Sequence, residues 1–354
     1  MKLKTILQKI RLTIGKLLLD KTNHNPVNLP IKKILFLRQD GKIGDYIVSS
    51  FVFRELKKQD PELYIGVTCT KNNAYLFENN PYIDQLHFVQ KRSIWDRIKC
   101  GLNLRKFHYD VLIDPTVLLR NRDLLFIRLI KASINVGYLK QNYQLFNINI
   151  DDPKLHFADV YKTVLEKIGF TDINTQYDIP FNPLANTETI DFIQKNKLER
   201  FITLNFFGNG SARQFDDKHI VAILEYLAKK SSLPIVVLTY PTVTEKLKKL
   251  IAMVNGQWSM ENNIFFAKIF INENTKSIFH TIELIRYSDL LISPDTATIH
   301  IAAGLNKPII GFYSQGQQNW LNWHPNNQNR TEIVRYQHNI NEISPEQISP
   351  EWII

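Results

Sequence analysis

Short apolar runs alternate with helix-spaced segments, twice over, and this sets the tightest limit on how the chain can fold. The first series begins at Lys32-Lys-Ile-Leu-Phe-Leu-Arg38, a continuous apolar run such as a strand buried on both faces requires. Gln39 to Gly44 follow as a loop, and Asp45 opens a helix to about Lys58. Further strand-like runs fall at 63–69, 83–89, 110–114 and 134–138, with helical spacing at 73–79, 94–106, 118–131 and 157–168. From 171 to 199 the chain turns polar, with Pro180 and Pro183, and a boundary is expected there. The alternation then restarts, with strands at 201–206, 234–239, 264–267, 289–293 and 308–313 and helices between them. Trp320, Trp323 and Pro325 read as loop, and the last residues as a short helix. Such alternation means βαβ units and parallel sheets, so the chain is α/β with two such domains. The expected divisions are 1–30 (extension and linker), 31–180 and 181–354.

The chain has 354 residues, 44% of them hydrophobic, enough for two cores. No apolar run approaches the roughly 20 residues of a membrane-spanning helix. The net charge of +10 is uneven: residues 1–58 hold 13 Lys/Arg against Asp20, Asp40, Asp45 and Glu55. Residues 91–131 add ten basic side chains against four acidic ones. A basic amino-terminal half suits an acidic macromolecule or an anionic membrane face. Nucleic acid is not expected, because no nucleic-acid motif is present and aromatics are not interleaved with the basic runs. Cys69 and Cys100 have no metal or redox spacing, which suits a reducing cytoplasm. In residues 1–22, Leu3, Ile6, Leu7, Ile10, Ile14, Leu17 and Leu18 share one helical face, with the lysines largely off it. Two readings stay open: a helix lying on an anionic membrane surface, or a helix docked on its own domain.

Three short stretches carry chemistry. Ser293-Pro-Asp-Thr-Ala-Thr-Ile-His-Ile-Ala-Ala-Gly-Leu305 is a strand-to-helix turn, with Asp295 or Thr296 as N-cap. Open α/β sheets bind ligands at such turns, and the free N–H groups of the first helical turn favour an anion. Ala297 is small enough to admit a phosphate, and His300, one turn on, can face the same crevice. The alternative is that Asp295 merely caps and His300 is a satisfied surface histidine. Gly208-Asn-Gly210-Ser-Ala-Arg213 follows another strand; its glycines let the backbone curl near a phosphate, and Arg213 can pair two oxygens at once. A plain turn would look the same. Asp45 follows Gly44 beyond the first strand, where a carboxylate kept ionised by a helix start can accept a proton, or simply cap its helix.

The stretch from Ser293 to Ala302, with Lys307-Pro308 after it, resembles the most diagnostic motif of glycosyltransferase family 9, the bacterial heptosyltransferases. That family often has Gly where this chain has Ala297. Arg38-x-Asp40-x-x-Gly44-Asp45 resembles its amino-terminal motif, and Gly208 to Phe215 its Gly-rich loop, where Arg213 replaces the usual Lys. The resemblance implies the GT-B fold, two Rossmann-like domains facing each other across a cleft. It implies Asp45 as catalytic base, and a donor site at Gly210, Arg213, Glu245, Asp295, Thr296, Ala297 and His300. The acceptor side falls on Arg38, Asp40 and Lys42. The implied reaction is inverting, by single displacement, from ADP-heptose to the acidic lipid A–Kdo or inner-core region of lipopolysaccharide. It takes place in the cytoplasm at the inner membrane face, with no cofactor and no metal; no compact Asp-x-Asp motif offers a metal site. Three rivals remain: another sugar in the same family, a GT-B-like nucleotide-sugar epimerase, and a non-catalytic glycolipid-binding protein.

Overall fold

The computed structural model describes residues 12–24, 29–39, 41–90, 93–258 and 267–353. The chain divides into two compact units, Met1–Gln176 and Tyr177–Ile354.

The first unit opens with helix α1 at 12–19. There follow β1 (Lys33–Leu37), α2 (Ile43–Ser49), α3 (Phe51–Gln59), β2 (Tyr64–Cys69), β3 (Gln85–Phe88), α4 (Ile94–Arg105), β4 (Val111–Asp114), α5 (Asn121–Ile130), β5 (Ile134–Tyr138), β6 (Ile148–Ile150) and α6 (Phe157–Lys167). The strands form one parallel sheet in the order β3-β2-β1-β4-β5-β6. Leu35, Leu37 and Leu112 pack under Leu104, Phe126, Ile127 and Ile130 of α4 and α5. Phe36 meets Phe53 of α3 edge-on at 5.1 Å, and α6 packs against α2 and α3.

The second unit holds α7 (Pro183–Lys195), β7 (Ile202–Leu204), α8 (Asp217–Lys230), β8 (Ile235–Val237), α9 (Thr244–Trp258), β9 (Ile269–Ile271), α10 (Ile278–Tyr287), β10 (Leu290–Pro294), α11 (Ala297–Gly304), β11 (Ile309–Ser314), α12 (Gln317–Trp323) and β12 (Thr331–Tyr336). Its sheet is again parallel throughout, in the order β12-β11-β10-β7-β8-β9. Ile202, Leu204, Val237 and Ile292 pack with Ile220, Ile223, Leu224 and Leu227 of α8. In each unit the first strand sits mid-sheet, the chain builds outward one way, then returns to build the other way. The carboxyl ends of the strands at that reversal are where such sheets hold ligands.

Several local expectations are corrected. The helix after Asp45 is broken at Ser50 into α2 and α3. Ser49 Oγ donates to the Asp45 carbonyl at 2.8 Å and Ser50 Oγ to that of Ile47 at 2.7 Å, back-bonding that bends helices. The expected helix at 73–79 is one tight turn, Ala74–Leu76. The polar stretch 171–199 contains α7, started by Pro183 and capped by Asn182, whose side chain accepts the Ala185 N–H. Residues read as loop around Trp320 form α12, and the carboxyl end holds three 3-10 turns. Among the described residues no helix is long and apolar enough to cross a membrane.

Gly66 shows how tightly β2 is packed. A Cβ there would lie 2.1 Å from the Tyr109 hydroxyl and 2.7 Å from Cζ. Tyr109 is buried, and its hydroxyl bonds His87 Nε2 at 2.7 Å, so the ring has no free path away. Gly66→Ala is expected to cost about 1–3 kcal/mol by overpacking, seen as a lower urea midpoint at unchanged slope.

Candidate active site

In the second unit, Asn205 is the first residue beyond β7 and is buried. Its Nδ2 lies within hydrogen-bond distance of the Phe207 carbonyl (3.1 Å), Ser293 Oγ (3.1 Å), Thr298 Oγ1 (3.3 Å) and Thr296 Oγ1 (3.4 Å). Thr298 Oγ1 in turn meets the hydroxyls of Ser293 and Thr296 at 2.7 Å each. This hydroxyl cluster pins the loop after β7 to the turn after β10, the two loops at the sheet's reversal.

Thr296 is the N-cap of α11, in extended conformation, and its side chain makes no capping hydrogen bond. The helix start, with Thr296 and Ala297 half-buried, therefore keeps its donor character toward an anion. Gly208 approaches this turn so closely that a Cβ would lie 2.7 Å from Arg213 Cβ and 3.1 Å from Thr296 Cγ2. Gly210 has φ +93°, a left-handed conformation natural to glycine.

Arg213 ends a short 3-10 turn and reaches across to Asp295. Its Nη1 lies 3.0 Å from Asp295 Oδ2 and donates to the Asp295 carbonyl at 3.3 Å. Asn319 of α12 completes the group: its Nδ2 donates to Asp295 Oδ2 at 2.7 Å, and its Oδ1 accepts from Arg213 Nη2 at 3.4 Å. Burial pushes the Asp295 carboxyl up, and the Arg213 charge and the Asn319 bond pull against that rise. Asp295 is nearly buried, whereas the Arg213 side chain is 33% exposed and can meet an incoming anion.

His300 lies elsewhere. It is buried against Trp323 of α12, ring centroids 5.7 Å apart, and its Nδ1 has no hydrogen-bond partner. Burial, and then the nearby His324, push its pKa down to about 4. Glu245 sits in the first turn of α9, largely exposed, and bonds Lys248 at 3.2 Å. It takes no part in the Arg213–Asp295–Asn319 group.

In the first unit, Asp45 is the third residue of α2, with Lys42 as N-cap. Lys42 Nζ lies 3.6 Å from Asp45 Oδ2, and their side chains are 63% and 20% exposed. Asp45 is thus a first-turn carboxylate and not the cap. Arg38 differs from its expected place on the acceptor side, because it is 1% exposed. Its Nη1 bonds Ser49 Oγ and donates to the Tyr161 hydroxyl at 3.1 Å, and its carbonyl accepts from Asn73 Nδ2 at 2.8 Å. Ser49 also bonds the Asp45 carbonyl, so Arg38 props the start of α2 from beneath. Asp40 lies outside the described residues. Sequence reasoning missed Asn205, Ser49, Tyr161 and Asn319; only Asn205, polar and directly after a strand, carried a local signal.

The His300 shift has a stability consequence. The unfolded histidine takes a proton below about pH 6.5, while the folded one resists to about pH 4. Stability present above pH 6.5 is therefore lost as pH falls toward 4. Between pH 7 and 5, wild type is expected to lose roughly 1–2 kcal/mol more than His300→Gln, measured by urea unfolding at both pH values.

Residues 275–351, from just before α10 through the last 3-10 turns, match the model of glycosyltransferase family 9 (heptosyltransferase). Over 364 residues the chain is 25% identical to "Putative lipopolysaccharide heptosyltransferase 4" of Escherichia coli, covering 97% of this chain and 93% of that relative. Among solved structures, a family 9 glycosyl transferase from Veillonella parvula superposes with a TM-score of 0.69 at 18% identity, over 90% of this chain and 94% of that one. The E. coli ADP-heptose lipopolysaccharide heptosyltransferase II gives 0.68 at 16% identity, over 90% and 97%. These superpositions establish the fold, two parallel six-stranded sheets of the GT-B class. The family match spans β10, α11 and α12, and with them the turn that carries Asp295 and the helix that carries Asn319, so this part of the chain is similar to glycosyltransferase family 9, the heptosyltransferases.

Proposed function

We propose that the chain is an inverting glycosyltransferase that moves heptose from ADP-heptose to the lipid A–Kdo or inner-core region of lipopolysaccharide, at the cytoplasmic face of the inner membrane. The observation that carries this reading is the Arg213–Asp295–Asn319 group beside the start of α11, at the reversal of a parallel sheet. The names of its relatives, a lipopolysaccharide heptosyltransferase and an ADP-heptose heptosyltransferase, supply the sugar and acceptor class.

The roles follow from charge and position. As the glycosidic bond to the diphosphate breaks, negative charge grows on the leaving oxygens. The Arg213 guanidinium and the α11 amides stabilise that charge. Asp295 Oδ2 already accepts from Arg213 and Asn319, which leaves Oδ1 for a donor hydroxyl of the sugar. Asp45 takes the proton of the attacking acceptor hydroxyl. A carboxylate suffices as base, because that proton is lost late, from an oxygen already bonding to an oxocarbenium-like carbon. Lys42 stands beside it, exposed, to meet acceptor phosphate or carboxylate.

The test is ADP release from ADP-heptose with and without purified core acceptor. Asp45→Asn is expected to lower kcat by about 10²–10⁴-fold while donor affinity stays near wild type. Arg213→Ala should instead weaken donor binding as well. Sugar conversion with donor alone, undiminished in Asp45→Asn, would replace transfer by epimerisation. Acceptor binding without ADP release from any nucleotide sugar would leave only a glycolipid-binding protein.

A further inference from the structure

Helix α1 meets its own unit with the face that its sequence pattern least suggests. Gly15, Leu19 and Asp20 turn inward. A Cβ on Gly15 would strike the Asn121 side chain at the start of α5. Leu19 packs against the core beneath α4 and α5, and Asp20 Oδ1 accepts the Leu145 N–H at 2.9 Å. The apolar stripe points the other way: Ile14, Leu17 and Leu18 are 52%, 69% and 69% exposed. The helix is therefore docked, and its hydrophobic face is left to solvent.

Two more large apolar side chains stand out near the same helix start. Leu118, three residues before α5, is 86% exposed, and Trp95, in the first turn of α4, is 77% exposed. Neither sits on slack chain. Asp114 Oδ1 accepts the Thr116 N–H at 3.1 Å and its hydroxyl at 2.7 Å. The buried Lys140 ammonium holds the same loop from below, donating to the carbonyls of Thr116 and Val117. Trp95 lies two residues before Arg97, which pairs with Asp123 in the first turn of α5 at 2.8 Å. Thus α1, the start of α4 and the loop 115–120 are all tied to one place.

Charge selects the occupant. The sequence up to residue 21 carries Lys2, Lys4, Lys9, Arg11, Lys16 and Lys21 against Asp20 alone, and Lys99 and Arg120 are exposed. A second copy of this chain would bring like charges together. An anionic lipid surface answers both needs at once: apolar side chains and a tryptophan enter the headgroup boundary, and ammonium groups meet phosphates. We propose that α1, the start of α4 and the loop 115–120 form a docking surface for an anionic phospholipid bilayer. The loop 115–120 follows β4, next to the loop after β1 that leads to Lys42 and Asp45. Docking there would bring a lipid-anchored acceptor to that sheet edge, a consequence that rests on the reading of the reaction given above.

Binding is tested without donor or acceptor. The full chain is floated with phosphatidylcholine vesicles, with and without phosphatidylglycerol. Wild type should float with the anionic vesicles only, and its affinity should fall by about tenfold or more in Leu17→Asp/Leu18→Asp and, independently, in Leu118→Asp. Brominated acyl chains should quench wild-type tryptophan fluorescence more than that of Trp95→Phe. Circular dichroism, and sugar transfer to a deacylated soluble acceptor, should stay at the wild-type level in all three variants. The proposal fails if wild type ignores anionic vesicles, or if the aspartate variants bind as wild type does. It fails equally if sedimentation shows a dimer that Leu17→Asp/Leu18→Asp dissolves, for then a second copy covers the face. A chain that floats but transfers nothing overturns the reaction alone; one that transfers to soluble acceptor but does not float overturns the docking alone.

Discussion

Each sheet of this protein reverses its direction of growth once, and the chemistry hangs on that reversal. Parallel strands carry all their carboxyl ends to one edge. Open parallel sheets bind ligands beside the point where the chain turns from building one side to building the other. In the second unit that point lies between β7 and β10. Arg213 and Asp295 are far apart in sequence, yet their strands are hydrogen-bonded neighbours, so topology brings the two charges together. The first unit repeats the arrangement with β1 and β4, which places Lys42 and Asp45 beside the loop that follows Asp114.

The pairing at the reversal is chemically particular. A carboxylate as buried as Asp295 resists ionisation unless donors meet it. Asn319 and one guanidinium nitrogen share Oδ2, and the same nitrogen reaches the Asp295 carbonyl while the other reaches Asn319. A planar fork can make those contacts together, and the point charge of a lysine cannot. Arg213 thus fits Asn319 of α12, and the two residues hold Asp295 together. One-third of the Arg213 side chain stays exposed, so the fork that meets the buried Asp295 carboxylate still presents a cation at the surface.

What could be read from the sequence divides along the range of the forces involved. Continuous apolar runs such as Lys33–Leu37 and Leu290–Pro294 betray buried parallel strands, because both faces need covering. The turn at Thr296 is marked by its own small and hydroxyl residues. Contacts made across the fold leave no such local mark. Asn319 sits in a stretch whose tryptophans and asparagines resemble loop, and it becomes meaningful only when α12 lays it over Asp295. Strand β12 was missed because Thr331–Tyr336 carries Thr331, Glu332 and Arg335 among its apolar residues and lies at the sheet edge, so it lacks the continuous apolar run that marks a strand buried on both faces. Arg38 looked like an exposed cation after a strand, but Tyr161 and Ser49, distant in sequence, draw it inward.

That last case bears on how charge should be counted. The amino-terminal half is basic by composition, yet Arg38, Arg97 and Lys140 are buried and spend their charge on hydroxyls, Asp123 and backbone carbonyls. The field outside the protein comes from those that remain exposed, among them Lys21, Lys99 and Arg120. Periodicity has a matching blind spot. It showed that α1 has an apolar stripe, but a helix can dock by whichever face fits, and here the small Gly15 allows close approach to Asn121. Close packing on that side fixes the rotation of the helix, and the rotation turns Ile14, Leu17 and Leu18 outward. Sterics at one glycine therefore decide which surface of the unit is hydrophobic, and composition alone had no means of saying so.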